Sequence, residues 1–182
     1  MGFFIDAGKL DKPVEVLELK QVSAGVWEWC RVRRAWASVE PGTGRNLFSS
    51  VGIGKRDWRL VLRRQGISLH NAVRWGTRHF FLTGITEPDR GHLELGAALV
   101  TVEMCQSAGV RFPGVLTEKY LSHAQEWPMS VNELRLVLVV PKVIVLRPGH
   151  LVDVRGAEWE ILVPHELDEY KNEYEIGRTV EL

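Results

Sequence analysis

Cysteine is nearly absent: the 182 residues hold two, Cys30 and Cys105. They form no CxxC pair and have no metal-type spacing, which argues against a disulfide framework or a zinc module. Two reduced thiols in an intracellular protein are the expectation. No apolar run approaches the roughly 18 residues of a membrane span. The opening Met1-Gly2-Phe3-Phe4-Ile5-Asp6 has no basic region and no long apolar stretch, so it does not read as a signal peptide. A soluble protein made in a cytosol is expected.

Catalytic spacings are missing as well. The histidines His70, His79, His92, His123, His150 and His165 make no HExxH and no two-His pattern with a carboxylate. The nearest cluster, His165-Glu166-x-Asp168, reads as a solvated acidic turn. Neither GxSxG nor a phosphate-binding loop occurs. Gly52-x-Gly54-Lys55 lacks the phosphate-loop spacing and reads as a flexible loop. No catalytic residue, no cofactor and no metal is expected, and the chain does not read as an enzyme.

A net charge is also lacking, with 23 basic and 23 acidic residues. The balance conceals a division. Residues 1–106 hold 15 Lys/Arg against 11 Asp/Glu, a net of +4; residues 107–182 hold 8 against 12, a net of −4. Within 31–78 the count is 11 against 2, a net of +9. Such asymmetry implies a preferred partner or orientation.

What is present is strand and turn. Hydrophobic residues make up 45% of the chain, enough for a core. Pro13-Val14-Glu15-Val16-Leu17-Glu18-Leu19 alternates like a half-buried strand. Trp27-Glu28-Trp29-Cys30 and Val32 to Glu40 are extended runs ending at the turn Pro41-Gly42-Thr43-Gly44. Residues 45–54 read as a long loop. Strands resume at Trp58 to Arg64, Ala72 to Trp75, Arg78 to Ile85 and Leu93 to Met104. Residues 107–114, rich in Gly, Pro and small side chains, read as a linker. Leu116 to Ala124 reads as a short helix, and Ser130 to Val140 as a strand.

The second half echoes the first. Arg59-Leu60-Val61-Leu62 returns as Arg135-Leu136-Val137-Leu138, and Val73-Arg74-Trp75-Gly76 as Asp153-Val154-Arg155-Gly156. His79 to Leu82 matches Trp159 to Leu162, and the closing Val102-Glu103 matches Val180-Glu181. The fold expected is all-β: two tandem small β-barrels of SH3- or OB-like meander type, with at most short helices. The division expected is 1–106, a linker 107–114, and a repeat-related unit 115–182.

Residues 8–105 resemble the bacteriophage head–tail adaptor, or head-closure, family. The resemblance rests on the first strand Lys12 to Leu19, on Trp27-Glu28-Trp29, and on Ala35-Trp36-Ala37-Ser38-Val39 followed by a turn and Arg45. The strands Trp58 to Leu62, Arg78 to Ile85 and Leu93 to Met104 follow in the expected order. The resemblance implies a structural virion protein at the phage neck, closing the DNA-filled head and joining it to the tail. Implied partners are copies of itself in a ring (six or twelve), a portal or adaptor protein, a tail terminator or tail tube protein, and passing genomic DNA, with no membrane. Residues 115–182 exceed the family's usual length and inherit no role from it.

The basic segment carries most functional content. Arg45, Lys55, Arg56, Arg59, Arg63 and Arg64 are the candidate residues for contact with an acidic partner or with DNA in a channel, since phosphate contact needs only exposed cations. Charge reversal at Lys55 and Arg56 that left DNA retention and head–tail joining intact would count against the channel. In a head-to-tail ring, the basic part of one copy would meet the acidic part of the next. Two other readings stay open: a free-standing nucleic-acid-binding barrel, favoured by the basic segment and the seven Trp, and a tail terminator. The Trp read first as core residues, with some at unit edges available as partner anchors.

Overall fold

The computed structural model describes residues 7–42, 57–121 and 133–178. The expected loop 45–54, with Arg45, and the residues Lys55 and Arg56 after it lie outside them. Strand makes up 69% of the structure and helix 1%, so the all-β expectation holds. The helical part is a single turn, Ala7–Lys9. The strands are β1 Lys12–Ser23, β2 Val26–Pro41, β3 Asp57–Arg63, β4 Ala72–Trp75, β5 Arg78–Thr86, β6 His92–Val100, β7 Glu103–Ser107, β8 Val110–Leu121, β9 Glu133–Pro141, β10 Leu151–Val154, β11 Ala157–His165 and β12 Lys171–Gly177.

The chain divides into two compact units. The first ends at Thr101, and the second takes the described residues from Val102 onward together with the hairpin tip Ser23–Trp27. The stretch 107–114, expected as a linker, is instead the turn and outer arms of a hairpin. Ser107 pairs with Val110 across Ala108 (φ 48°) and Gly109 (φ 80°), the two left-handed residues of the tight turn that suits twisted strands. The helix expected over 116–124 is also replaced: β8 runs through Leu121 and pairs antiparallel with β9 from Val115↔Val139 to Leu121↔Glu133. The ladder with β9 overrides the weak local signal there.

Each unit closes on itself as a cycle of six hydrogen-bonded strands. In the first unit the order is β1-β4-β5-β6-β3-β2 and back to β1; in the second it is β7-β10-β11-β12-β9-β8 and back to β7. Numbered from its own first strand, each unit has the same order. Closure gives every strand of each unit a hydrogen-bonded neighbour on either side along part of its length. The irregularities repeat too. The β5/β6 ladder slips between Leu82 and Gly84, and the β11/β12 ladder between Ile161 and Val163. Both bulges fall at the same distance into their strands.

This agreement re-registers the sequence echo. Leu82 pairs with Ala97, which pairs with Trp58; Ile161 pairs with Ile176, which pairs with Leu136. Trp58 therefore corresponds to Leu136, and Leu60 to Leu138, two residues from the alignment that the letters give. A slip of two keeps the same face buried, so the echo survives it. The closing pair Val102-Glu103 is displaced further. β6 ends at Val100 and Glu103 opens β7, so the closing strands are β6 and β12; Val180-Glu181 lies outside the described residues.

Alternation builds the core of the first unit. Val14, Ala37, Leu60, Leu62, Val73, Phe80, Leu82, Leu93, Leu95 and Ala97 form one buried cluster. Along β5 the inward residues are Phe80 and Leu82 before the bulge and Ile85 after it. The extra residue reverses the parity. Each fully buried Leu or Phe contributes about 1.5–3 kcal/mol relative to exposure.

The second unit buries Phe112, Leu138, Val140, Val152, Val154, Ile161 and Ile176. Asn172 Nδ2 donates to the carbonyls of Lys142 and Ile144 at 3.1 and 2.9 Å, and the amide of Leu146 donates to Tyr174 Oη at 3.0 Å. These bonds fasten the irregular segment after β9 to β12. At the hairpin tip, Val26 lies beside Arg111 in parallel register, and the Arg111 amide donates to the Gly25 carbonyl at 2.7 Å. Gly25 has φ +71°, and a Cβ there would stand 3.3 Å from the Gly109 carbonyl oxygen. Both facts require glycine at this approach.

Candidate interaction groove

β2 and β3 run antiparallel through the pairs Ala37↔Leu62 to Pro41↔Trp58. One step before Ala37 stands Trp36, and one step after Leu62 stands Arg63. Because Ala37 and Leu62 point into the core, alternation turns Trp36 and Arg63 outward. Trp36 is 61% exposed. Leu10, Arg34, Ala35, Trp36, Arg63, Arg64 and Gln65 line a surface groove of about 510 Å³. Its apolar part is Leu10, Ala35 and Trp36. Its charged part is three arginines.

The six sequence-predicted residues do not act alike. Arg45, Lys55 and Arg56 lie outside the described residues. Arg59 Nη2 donates to Glu94 Oε2 at 2.6 Å, and Glu40 adds a second negative field. This pairing raises the Arg59 guanidinium above its ordinary pKa and lowers that of the Glu94 carboxyl. Arg59 is thus neutralised within its own sheet. Arg64 pairs with Glu87 at 3.1 Å, both side chains about half exposed. Arg63 has no acidic partner among the described residues. Of the three that are described, Arg63 and Arg64 line the groove and Arg59 does not.

Five groove residues were absent from that set, among them Arg34 and Trp36. Arg34 has its side chain 74% exposed and lies 3.8 Å from Glu15. Arg31 and Arg74 also hold Glu15, at 3.1 and 2.6 Å. One carboxylate therefore serves three guanidinium groups, and the hydrogen bonds from Arg74 and Arg31 lower its pKa. The surplus is positive. Trp36 stands out in the sequence within the Ala-Trp-Ala strand and as one of seven Trp read first as core residues. Its exposure was not readable, because the sequence does not say which parity of β2 faces in.

Several other titratable groups have structural duties. Among the described residues no group of three or more His, Cys, Asp or Glu could hold a metal ion. In the acidic turn after β11, Asp168 Oδ1 accepts from the Tyr170 and Lys171 amides at 2.7 Å. Glu166 Oε1 accepts from Tyr174 Oη at 3.0 Å. His165 Nε2 stands 2.9 Å from Glu175 Oε1. Burial pushes the Cys105 thiol up to about 12, which keeps it a protonated core residue. His79 lies among Trp29 and Phe81, ring centroids 5.7 Å from each. Burial, with Arg74 nearby, pulls it down to about 4, and its Nε2 has no hydrogen-bond partner. No helix among the described residues is long and apolar enough to cross a membrane.

Compared with family models, with curated proteins and with solved structures, the chain matches none.

Proposed function

We propose that this chain is a non-enzymatic assembly subunit of the bacteriophage head–tail connector kind, closing the DNA-filled head and joining it to the tail. The observation that carries the reading is Trp36, held outward on a closed sheet among arginines of which Arg63 has no acidic partner among the described residues. Tryptophan and arginine side by side are the composition of a protein contact hot spot. A closed sheet supplies a rigid platform for such a contact. Most of the runs on which the resemblance to head–tail adaptors rests are strands of the first unit. The opposite net charges of the two halves suit a ring in which unlike surfaces of neighbouring copies meet. The partners on this reading are further copies, a portal or adaptor protein, a tail terminator or tail tube protein, and the DNA that passes. The place of action is the virion's head–tail interface, after synthesis in the bacterial cytoplasm.

The test is a particle lacking this protein. It should package DNA and then leak it or fail to gain a tail. Normal, tailed, DNA-retaining particles would overturn the reading.

A second reading follows from the same groove. An exposed tryptophan beside cations can stack a base while the cations hold phosphates, as single-strand binders do. Submicromolar binding of single-stranded DNA by the purified chain, falling steeply with salt and lost in Trp36→Ala, would favour it.

A further inference from the structure

The turn between β11 and β12 holds an unusual side chain. Leu167 is fully exposed, at 102% of its reference area. Its backbone neighbours are tied down on both sides. Lys142 Nζ donates to the carbonyl of Glu166 at 2.7 Å and to that of Asp168 at 2.6 Å. The Asp168 carboxylate caps two following amides, and Tyr174 Oη donates to Glu166 Oε1. A leucine without contacts therefore stands on a fixed loop, flanked by Glu166, Asp168 and Glu169. A fixed loop loses little conformational freedom when it docks.

We propose that Leu167 of one copy seats in the Trp36 groove of a second copy. This rests on the reading of the chain as an assembly subunit. The two surfaces match in kind. The loop offers one aliphatic side chain flanked in sequence by Glu166, Asp168 and Glu169, three acidic residues against the one cation, Lys142, that bonds the loop's carbonyls. The groove is lined by the apolar Leu10, Ala35 and Trp36 together with Arg34, Arg63 and Arg64. Unlike charges at the rim steer the approach and fix the register, while the apolar contact supplies affinity. Knob and groove are different surfaces, so every copy uses one of each. Such a heterologous contact propagates from copy to copy and closes into a ring when the rotation allows.

Complementation tests it. Leu167→Asp keeps the groove and loses the knob; Trp36→Ala keeps the knob and loses the groove. Both sites are exposed, and circular dichroism would check that each variant folds. In sedimentation velocity each variant alone should self-associate at least about tenfold more weakly than the unaltered chain. Mixed, they should form a one-to-one complex and nothing larger, since only one productive contact remains. Unchanged self-association in either variant, or a mixture that forms no complex, would overturn the proposal.

If the unaltered chain stays monomeric alone, a photo-crosslinking residue at position 167 is read in assembled particles instead. Crosslinks to the Leu10, Arg34 to Trp36 or Arg63 to Gln65 segments of another copy support the contact. Crosslinks to another protein, or none, overturn it and leave the neck assignment standing. If the contact forms but particles lacking the protein gain tails normally, the contact stands and the neck assignment falls.

Discussion

Leu60 of β3 and Leu138 of β9 occupy the same station in two copies of one strand order, and each is wholly buried. Each neighbours the strand pair that carries its unit's bulge. Truncation should therefore have the same consequence in either unit. Leu60→Ala and Leu138→Ala are each expected to cost about 2–5 kcal/mol, the transfer energy of the lost carbons plus the cavity left behind. Hydrogen exchange should place the loss of protection from Leu60→Ala in β1 to β6 and that from Leu138→Ala in β7 to β12. A cost below about 1 kcal/mol at either position would mean that the core refills, contrary to its close packing.

Arg59 and Arg63 share a strand face but differ in surroundings. Arg59 is held by Glu94 in a pair with both side chains partly exposed, so Arg59→Ala should change stability by less than about 1 kcal/mol. It should also leave assembly intact. Arg63→Glu reverses a cation that borders Trp36 and should weaken assembly while leaving the melting temperature within about 2 °C. Thermal melting and particle assembly, measured on both variants, separate the two roles. Equal assembly defects would return the contact to the whole basic strand.

Much of the strand order was legible because alternation is strong where one face is buried. Leu60 and Leu62, Phe80 and Leu82, and Leu136 and Leu138 announce their strands. The hairpin at 103–121 was not legible. Its Ala108-Gly109 turn and the Pro113-Gly114 step carry the composition of a linker. Pro113 is nonetheless tolerated, since β8 pairs with β9 only from Val115 onward and one flank of the strand has no ladder at that point. The groove was half legible. Arg63 and Arg64 stood out by charge, but the presence of Trp36 beside them depends on a register between β2 and β3 that no local pattern sets. Leu167 gave no signal beyond being the one aliphatic residue in a charged turn.

Gly114 of β8 lies against side chains of β7 and β9. A Cβ there would stand 2.9 Å from Cys105 Sγ and 2.9 Å from Leu138 Cδ1. Both are buried side chains with little room to shift. Gly114→Ala should cost about 1–3 kcal/mol through overpacking, in spite of the lower backbone entropy of alanine. Chemical denaturation would measure it. Pairing it with Leu138→Ala should recover part of the loss, because the smaller neighbour vacates the contested volume.

His79 gives the first unit a pH dependence with a definite sign. Its folded-state pKa of about 4 lies below the ordinary 6.5 because the cationic form would be buried beside Arg74 and between aromatic rings. The folded chain thus binds fewer protons than the unfolded chain between those values. The stabilising effect of the neutral ring is complete above about pH 6.5 and is lost as pH falls toward about 4. The difference corresponds to about 3 kcal/mol at most. His79→Phe keeps the ring in its place against Trp29 and Phe81 and removes both the titration and the unpartnered Nε2. Denaturant unfolding of both proteins at pH 7 and pH 4.5 checks this. The variant should lose distinctly less stability than the unaltered chain on acidification, and equal losses would mean that His79 takes up its proton as readily folded as unfolded.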